Sequence, residues 1–372
     1  MTAKTHSIPA IRMPRRLRLT ATPIFLASAF GLVLVASSPA YADNYNISDL
    51  GTLPGQTNSW TWQQTINNRG EVAAYANTIP DPNAYSGDES YIWADGEIHA
   101  LPGLPGATDT IAFALNDVGQ VVGRSTQPGA PNHPVLWDRG VIRMLPELPG
   151  DNKGAALMIN NDGTAVGYSA NTGAGIRRAV IWSRGVVSQL PSLPGGGFYD
   201  EALGINERGD AAGYSFPANG AGEHVALWKN GTVTDLGTLG GAWGDAYAIN
   251  AERQIVGLSA TAANPNSADA FLWDRGVLVD LGTLPGDTFS EANGINDEGA
   301  VAGFSAGDPG DITTWHALLW RNGRMVDLQT RIRPGTGWTL LAASGINNRG
   351  QIDGIGIHNG QFRAFLLTPK ED

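Results

Sequence analysis

From residue 43 onward the chain alternates short apolar segments with clusters of Gly, Asn, Asp and Pro. Segments this short, rich in Val, Ile, Leu, Phe and Trp, are predicted to be strands, and the clusters between them turns. No stretch carries a sustained 3.6-residue apolar period with caps, so no helix of consequence is expected. The alternation itself recurs, and an internal repeat decides the fold before any other feature. An Ile-Asn or Leu-Asn pair, a turn and a Val-Gly-Ser-like stretch return at Asn67, Asn116, Asn160, Asn206, Asn250, Asn296 and Asn347, spaced 49, 44, 46, 44, 46 and 51 residues apart. Between them an Ala-aliphatic-Leu-Trp element ends at Trp93, Trp137, Trp182, Trp228, Trp273 and Trp320, with Leu367 in the seventh copy. "INDEG" and "INNRG" have the Asn and Gly placement of a tight hairpin, and "WDRGV" supplies a second one.

Four strands in a unit of 44 to 51 residues match a β-propeller blade, whereas β-helix and leucine-rich repeats are shorter. The last copy ends one strand short, at "FRAFLLTPKED", while "YNISDL" near residue 45 matches "GVLVDL" and "GRMVDL". The orphan first strand is therefore predicted to complete the last blade. The expected fold is all-β: a seven-bladed β-propeller of four antiparallel strands per blade, one domain over residues 43–372. Such closure leaves only short, protected strand edges.

"HALLWRNGRMVDL", "ADAFLWDRGVLVDLGTLPG" and "ANGINDEGAVAGFS" resemble HAF repeats, named for the His-Ala-Phe start of the third strand. The resemblance covers essentially all of residues 43 to 372 and implies an exported, extracellular repeat protein. It carries no catalytic signature. Only His133, His224 and His316 keep the family histidine, and Arg253 stands where the other copies have the turn glycine.

Residues 1–42 are read as a cleaved signal peptide. Arg12, Arg15, Arg16 and Arg18 precede an apolar run from Ile24 to Ala36, too short for a stable anchor, and Ala40 and Ala42 suit a signal peptidase. This segment holds five of the 24 basic residues and none of the 35 acidic ones, which leaves a mature chain at 19 against 35, net −16. Such a surface repels phosphate backbones and anionic lipid heads, so neither nucleic acid nor a membrane is an expected partner. With no cysteine there is no disulfide framework and no thiolate metal site. The expected location is secreted or periplasmic, and the expected state a monomer.

No cofactor is expected, with calcium in an acidic loop as the alternative. His133, His224 and His316 occupy one repeat position in non-adjacent blades, more than ~10 Å apart, and cannot share one ion. Acidic loops such as "DPNAYSGDES" and "GDPGD" lack the regular calcium-loop spacing. "LGTLPG" lacks the Lys-Ser/Thr of a phosphate loop. Each repeat asparagine is expected to bond its own turn. The tryptophans of the third strand are expected to pack between blades, and the alanines four before six of the asparagines to let inner strands converge.

Function is sought where the copies diverge. Seven positions before the asparagines in blades four to six stand Tyr199, Trp243 and Phe289; five before stand Glu201, Asp245 and Glu291. Residues two apart on a strand share a face, so these six would line an arc of the channel mouth. Flat aromatics with acceptors between them suit sugar rings. Trp60, Trp62, Trp315 and Trp338 are further candidates on that face. The opposing expectation is that the aromatics pack beneath their own loops and the acids are solvated. The chain is read as a binding module for a glycan or protein outside the cell. The alternatives are a polysaccharide hydrolase or lyase using Glu201, Asp245 or Glu291, for which the carboxyls must lie about 5 to 9.5 Å apart, and a structural envelope protein.

Overall fold

The computed structural model describes residues 45–79, 87–218, 222–263 and 267–370. The expected signal segment and most of the acidic loop 81–90 lie outside them. The described residues form 28 strands in seven four-stranded antiparallel sheets. Their only helical pieces are the 3-10 turns Ile312–Thr314 and Leu328–Arg331. Six blades run from innermost to outermost strand in chain order. In blade seven the outer place is taken by Tyr45–Asp49, antiparallel to Gln361–Pro369, with Tyr45 opposite Pro369 and Asp49 opposite Phe365. The ring thus closes with the first strand of the chain, as the repeat boundaries require.

Repetition in sequence becomes repetition of a few contacts. In the hairpin between third and fourth strands, a residue near φ +50° precedes a glycine near φ +80°, as at Arg275 (49°) and Gly276 (91°). Two consecutive positive φ values make the turn type that matches strand twist. The glycine of each Val-Gly-Ser-like stretch has a different cause. In the six blades other than the first, the inner strand is bulged four to two residues before its asparagine, for example between Ala246 and Ala248. A Cβ at Gly257 would then stand 1.9 Å from the Asp245 carbonyl oxygen, and one at Gly303 1.9 Å from that of Glu291. Blade one escapes this constraint. Its inner strand is only Asn58–Trp60, no bulge forms, and Ala74 occupies the glycine position.

The serine that follows fastens neighbouring blades. Ser125, Ser169, Ser215, Ser259 and Ser305 accept, at 2.9–3.1 Å, the backbone N–H of Leu104, Leu148, Leu193, Leu239 and Leu284 in the preceding linker. The third-strand tryptophans add a second fastening. Trp137, Trp182 and Trp228 donate Nε1–H at 2.7 Å to the carbonyls of Pro102, Pro146 and Pro191. "LGTLPG" is therefore a linker gripped by the next blade.

Each repeat asparagine does two things, because a carboxamide accepts at one end and donates at the other. Asn206 Oδ1 accepts from the N–H of Arg208 and Asp210, each at 3.0 Å, which closes its own turn. Its Nδ2 donates to the Asn250 carbonyl at 3.1 Å. All seven asparagines make this second bond to the next blade, at 2.9–3.2 Å, with Asn347 returning to Asn67. The result is a closed circle of hydrogen bonds around one end of the channel.

Candidate functional site

The channel holds two cavities. The lower, about 150 Å³, is ringed by six of the seven asparagines and by the residue after each of the seven. Its acids are already bonded: Asp117 accepts from Asn68 and Asn161, and Asp297 from Ala251 and Asn348. The upper cavity, about 440 Å³, lies toward the long-loop face. The irregular inner segment of blade one runs between them, Gln63 lining the upper and Gln64 the lower. Gln64 sits at φ +51°, donates to the Ile346 carbonyl at 3.1 Å, and fills the space a Cβ at Gly294 would need.

Four tiers of side chains line the upper cavity. Trp60 and Phe289 come from the position seven before the asparagine, and Trp62, Glu201, Asp245 and Glu291 from five before. Leu203, Tyr247, Asn293 and Ser344 come from three before. The second strand contributes Tyr75, Tyr214, Phe304 and Ile355 from eight after. Strand alternation explains the first three tiers. The fourth enters because inner-strand residues converge on the axis and leave gaps between them. Trp315, which opens the third strand of blade six and stacks on Phe304 at 4.2 Å, and Pro309, from the loop before it, also line the cavity.

Not every sequence candidate reaches this cavity. Trp60 lines it but is buried, stacked on Phe362 at 4.9 Å, with Nε1 on Asn77 Oδ1 at 3.2 Å. Phe289 is likewise buried, against Phe304. Trp338 is turned into its own sheet, stacked on His358 at 4.5 Å and edge-on to Phe365. Trp243 is half-buried and is not among the residues lining the cavity, and Tyr199 is exposed, with the Arg177 guanidinium 4.4 Å above its ring. The histidines each face an acid instead of one another: His133 on Glu147 at 2.9 Å, His224 on Asp235 at 3.0 Å, His316 on Asp287 at 3.2 Å. Among the described residues no group of three or more His, Asp or Glu is placed to hold a metal ion.

The three acids of one tier differ in their partners. Glu201 forms an ion pair with Arg177, whose guanidinium also lies 4.2 Å from the Tyr168 ring. Asp245 and Glu291 have no cationic partner among the described residues. Burial pushes the Asp245 carboxyl up to about 7, with the Glu223 charge adding to it. Burial likewise pushes Glu291 up to about 7, against a hydrogen bond from Gln63 and with the Asp245 charge raising it further. Asp245 Oδ1 has no hydrogen-bond partner. Neither has Asn293 Oδ1, although its Nδ2 donates to the Ala343 carbonyl at 3.1 Å.

Tyr247, Asn293 and Tyr214 escape a search confined to seven and five before the asparagine. A signal for Tyr214 does exist. The residue between the glycine and serine of the Val-Gly-Ser-like stretch varies as Arg124, Tyr168, Tyr214, Leu258 and Phe304 while its neighbours hold constant.

No protein-family model matches the chain, and no curated protein matches it either. Among solved structures it is similar to an oligogalacturonate lyase in complex with manganese, 10% identical over 88% of this chain and 97% of that one, with a TM-score of 0.55. It also matches TolB from Acinetobacter baumannii, 15% identical over 82% of this chain and 65% of that one, at 0.46. The β-propeller domain of the Trilobed protease from Pyrococcus furiosus is 11% identical, over 72% and 83%, at 0.46. At these identities the likeness is one of fold.

Proposed function

We propose that this β-propeller is an exported binding module that takes a segment of an extracellular glycan into the upper cavity. One observation carries the proposal: buried acceptors without partners, Asp245 Oδ1 and Asn293 Oδ1, beside aromatic rings in a cavity of about 440 Å³. Buried polar atoms are nearly always satisfied, so unpaired ones on residues that line a cavity call for a donor from outside. Sugar hydroxyls donate, and sugar C–H faces pack on rings such as Trp62 and Tyr247. Export is supported by the basic and apolar N-terminal segment and by the resemblance to HAF repeats.

The test is a tryptophan-fluorescence titration of mature protein with cello-, malto- and chito-oligosaccharides, repeated on Trp62→Ala. Saturable quenching in wild type, weakened in the variant, is expected. If the wild-type signal is unmoved by the whole panel, the proposal fails. Hydrolase or lyase activity is the second reading, favoured by two carboxyls held near neutrality in one cavity. It requires new reducing or unsaturated ends to appear on incubation and to vanish in Glu291→Gln.

A further inference from the structure

We propose that the upper cavity contains an ammonium subsite: the carboxylates of Asp245 and Glu291, with the carboxamide oxygen of Asn293, hold the protonated amine of an amino sugar. The inference rests on the glycan proposal and narrows its ligand class. It begins from an inequality within one tier. Glu201, Asp245 and Glu291 occupy the same repeat position in consecutive blades. Among the described residues Arg177 pairs with Glu201 and no cation pairs with the other two. Two like charges in a partly desolvated space repel, and a ligand that brings a positive charge removes the repulsion.

The acceptor geometry matches that ligand. An ammonium has three N–H donors and no acceptor. Asp245 and Asn293 line the cavity with their Oδ1 atoms buried and unpartnered, and Glu291 accepts from the Gln63 side chain. Asn293 is buried, 5% exposed, so its oxygen has little access to bulk water. The rings of Trp62, Tyr247 and Trp315 line the same cavity and can take the sugar face or the cation itself. A carboxylate-bearing sugar would add a third negative charge. A neutral sugar leaves the two acids without a counter-charge.

The groups facing this pair fix how binding depends on pH. Glu223 lies near Asp245, Gln63 bonds Glu291, Tyr214 and Tyr247 stay neutral because burial raises both, and Glu201 is neutralised by Arg177. With both carboxyls pushed up to about 7, an ammonium bound at pH 6 must displace protons. Affinity should therefore climb as pH rises from 5.5 toward 7.5, and decline once the sugar amine itself loses its proton.

Calorimetric titration of the mature protein at pH 6.5 with glucosamine trimer, N-acetylglucosamine trimer and cadaverine tests this. The amino trimer should bind at least about tenfold more tightly than its acetylated counterpart, the lower end for close charge pairs. Asp245→Asn and Glu291→Gln, which keep side-chain shape, should erase that preference. Heats measured in two buffers of different ionisation enthalpy should report proton release in wild type and less in either variant. Equal binding of the two trimers overturns the ammonium subsite and leaves the glycan proposal standing. Cadaverine binding as tightly as the amino trimer overturns the sugar half. Failure of every oligosaccharide to bind overturns both.

Discussion

Asp353 should make the stability of the propeller depend on pH. It lies on the second strand of blade seven, at a position held in the other six copies by Ala73, Val122, Val166, Ala212, Val256 and Ala302. It is fully buried where blade seven meets blade one; Oδ2 accepts from Thr65 Oγ1 at 2.5 Å and Oδ1 has no partner. Burial pushes its carboxyl from 3.8 up to about 7, opposed by the hydrogen bonds it accepts. The unfolded chain loses this proton near its ordinary value while the folded protein keeps it until about 7. Stability is thus fully present below about pH 4, falls as pH rises through the interval, and is constant above it. Three pH units correspond to about 4 kcal/mol, and relaxation of the junction lowers this to about 2–4 kcal/mol. Asp353→Asn keeps the acceptor toward Thr65 and removes the ionisation. Urea unfolding followed by tryptophan emission should show variant and wild type alike at pH 4.5, with the variant more stable by that margin at pH 8.5. Asp88, Asp245 and Glu291 shift in the same direction, so the comparison must be variant against wild type. If the two unfolding curves keep the same separation at both pH values, the reasoning is refuted.

Three further outcomes follow from the contacts that the repeat builds. Asn206→Ala removes three buried hydrogen bonds at about 1 kcal/mol each, so urea unfolding should show a loss of about 3 kcal/mol and calorimetry a midpoint lower by about 4 °C; a loss below about 1 kcal/mol would mean the asparagine circle adds little. Gly303→Ala places a Cβ 1.9 Å from the Glu291 carbonyl oxygen, and thermal melting should show destabilisation of at least about 2 kcal/mol from forced backbone movement; at Gly276, where a Cβ would meet nothing, the same exchange should cost only the positive-φ strain, about 1 kcal/mol. Deleting residues 45–49 strips the outer strand from blade seven and bares the Gln361–Pro369 edge, so size-exclusion chromatography with light scattering should find association or aggregates; a monomer unfolding like wild type would contradict closure by that strand.

What the sequence by itself determined is the scaffold. A contact made seven times leaves seven copies of its residues, so the Asn, Gly, Ser and Trp positions disclosed the blade count, the hairpins and the closing strand before any coordinates. The arc of Glu201, Asp245 and Glu291 could also be found, since its three members share one repeat position. Tertiary structure alone decided what each member means. The cation beside Glu201 comes from Arg177, on the third strand of the preceding blade and 24 residues away in the chain, a pairing no local pattern records. Trp60 and Trp338 are both aromatic candidates on an inner strand, yet Trp60, seven before its asparagine, lines the cavity, whereas Trp338, nine before, stacks on His358. Asp353 shows the same division. Its odd composition in a column of Ala and Val was legible, but the burial that displaces its proton arises only where the two ends of the chain meet.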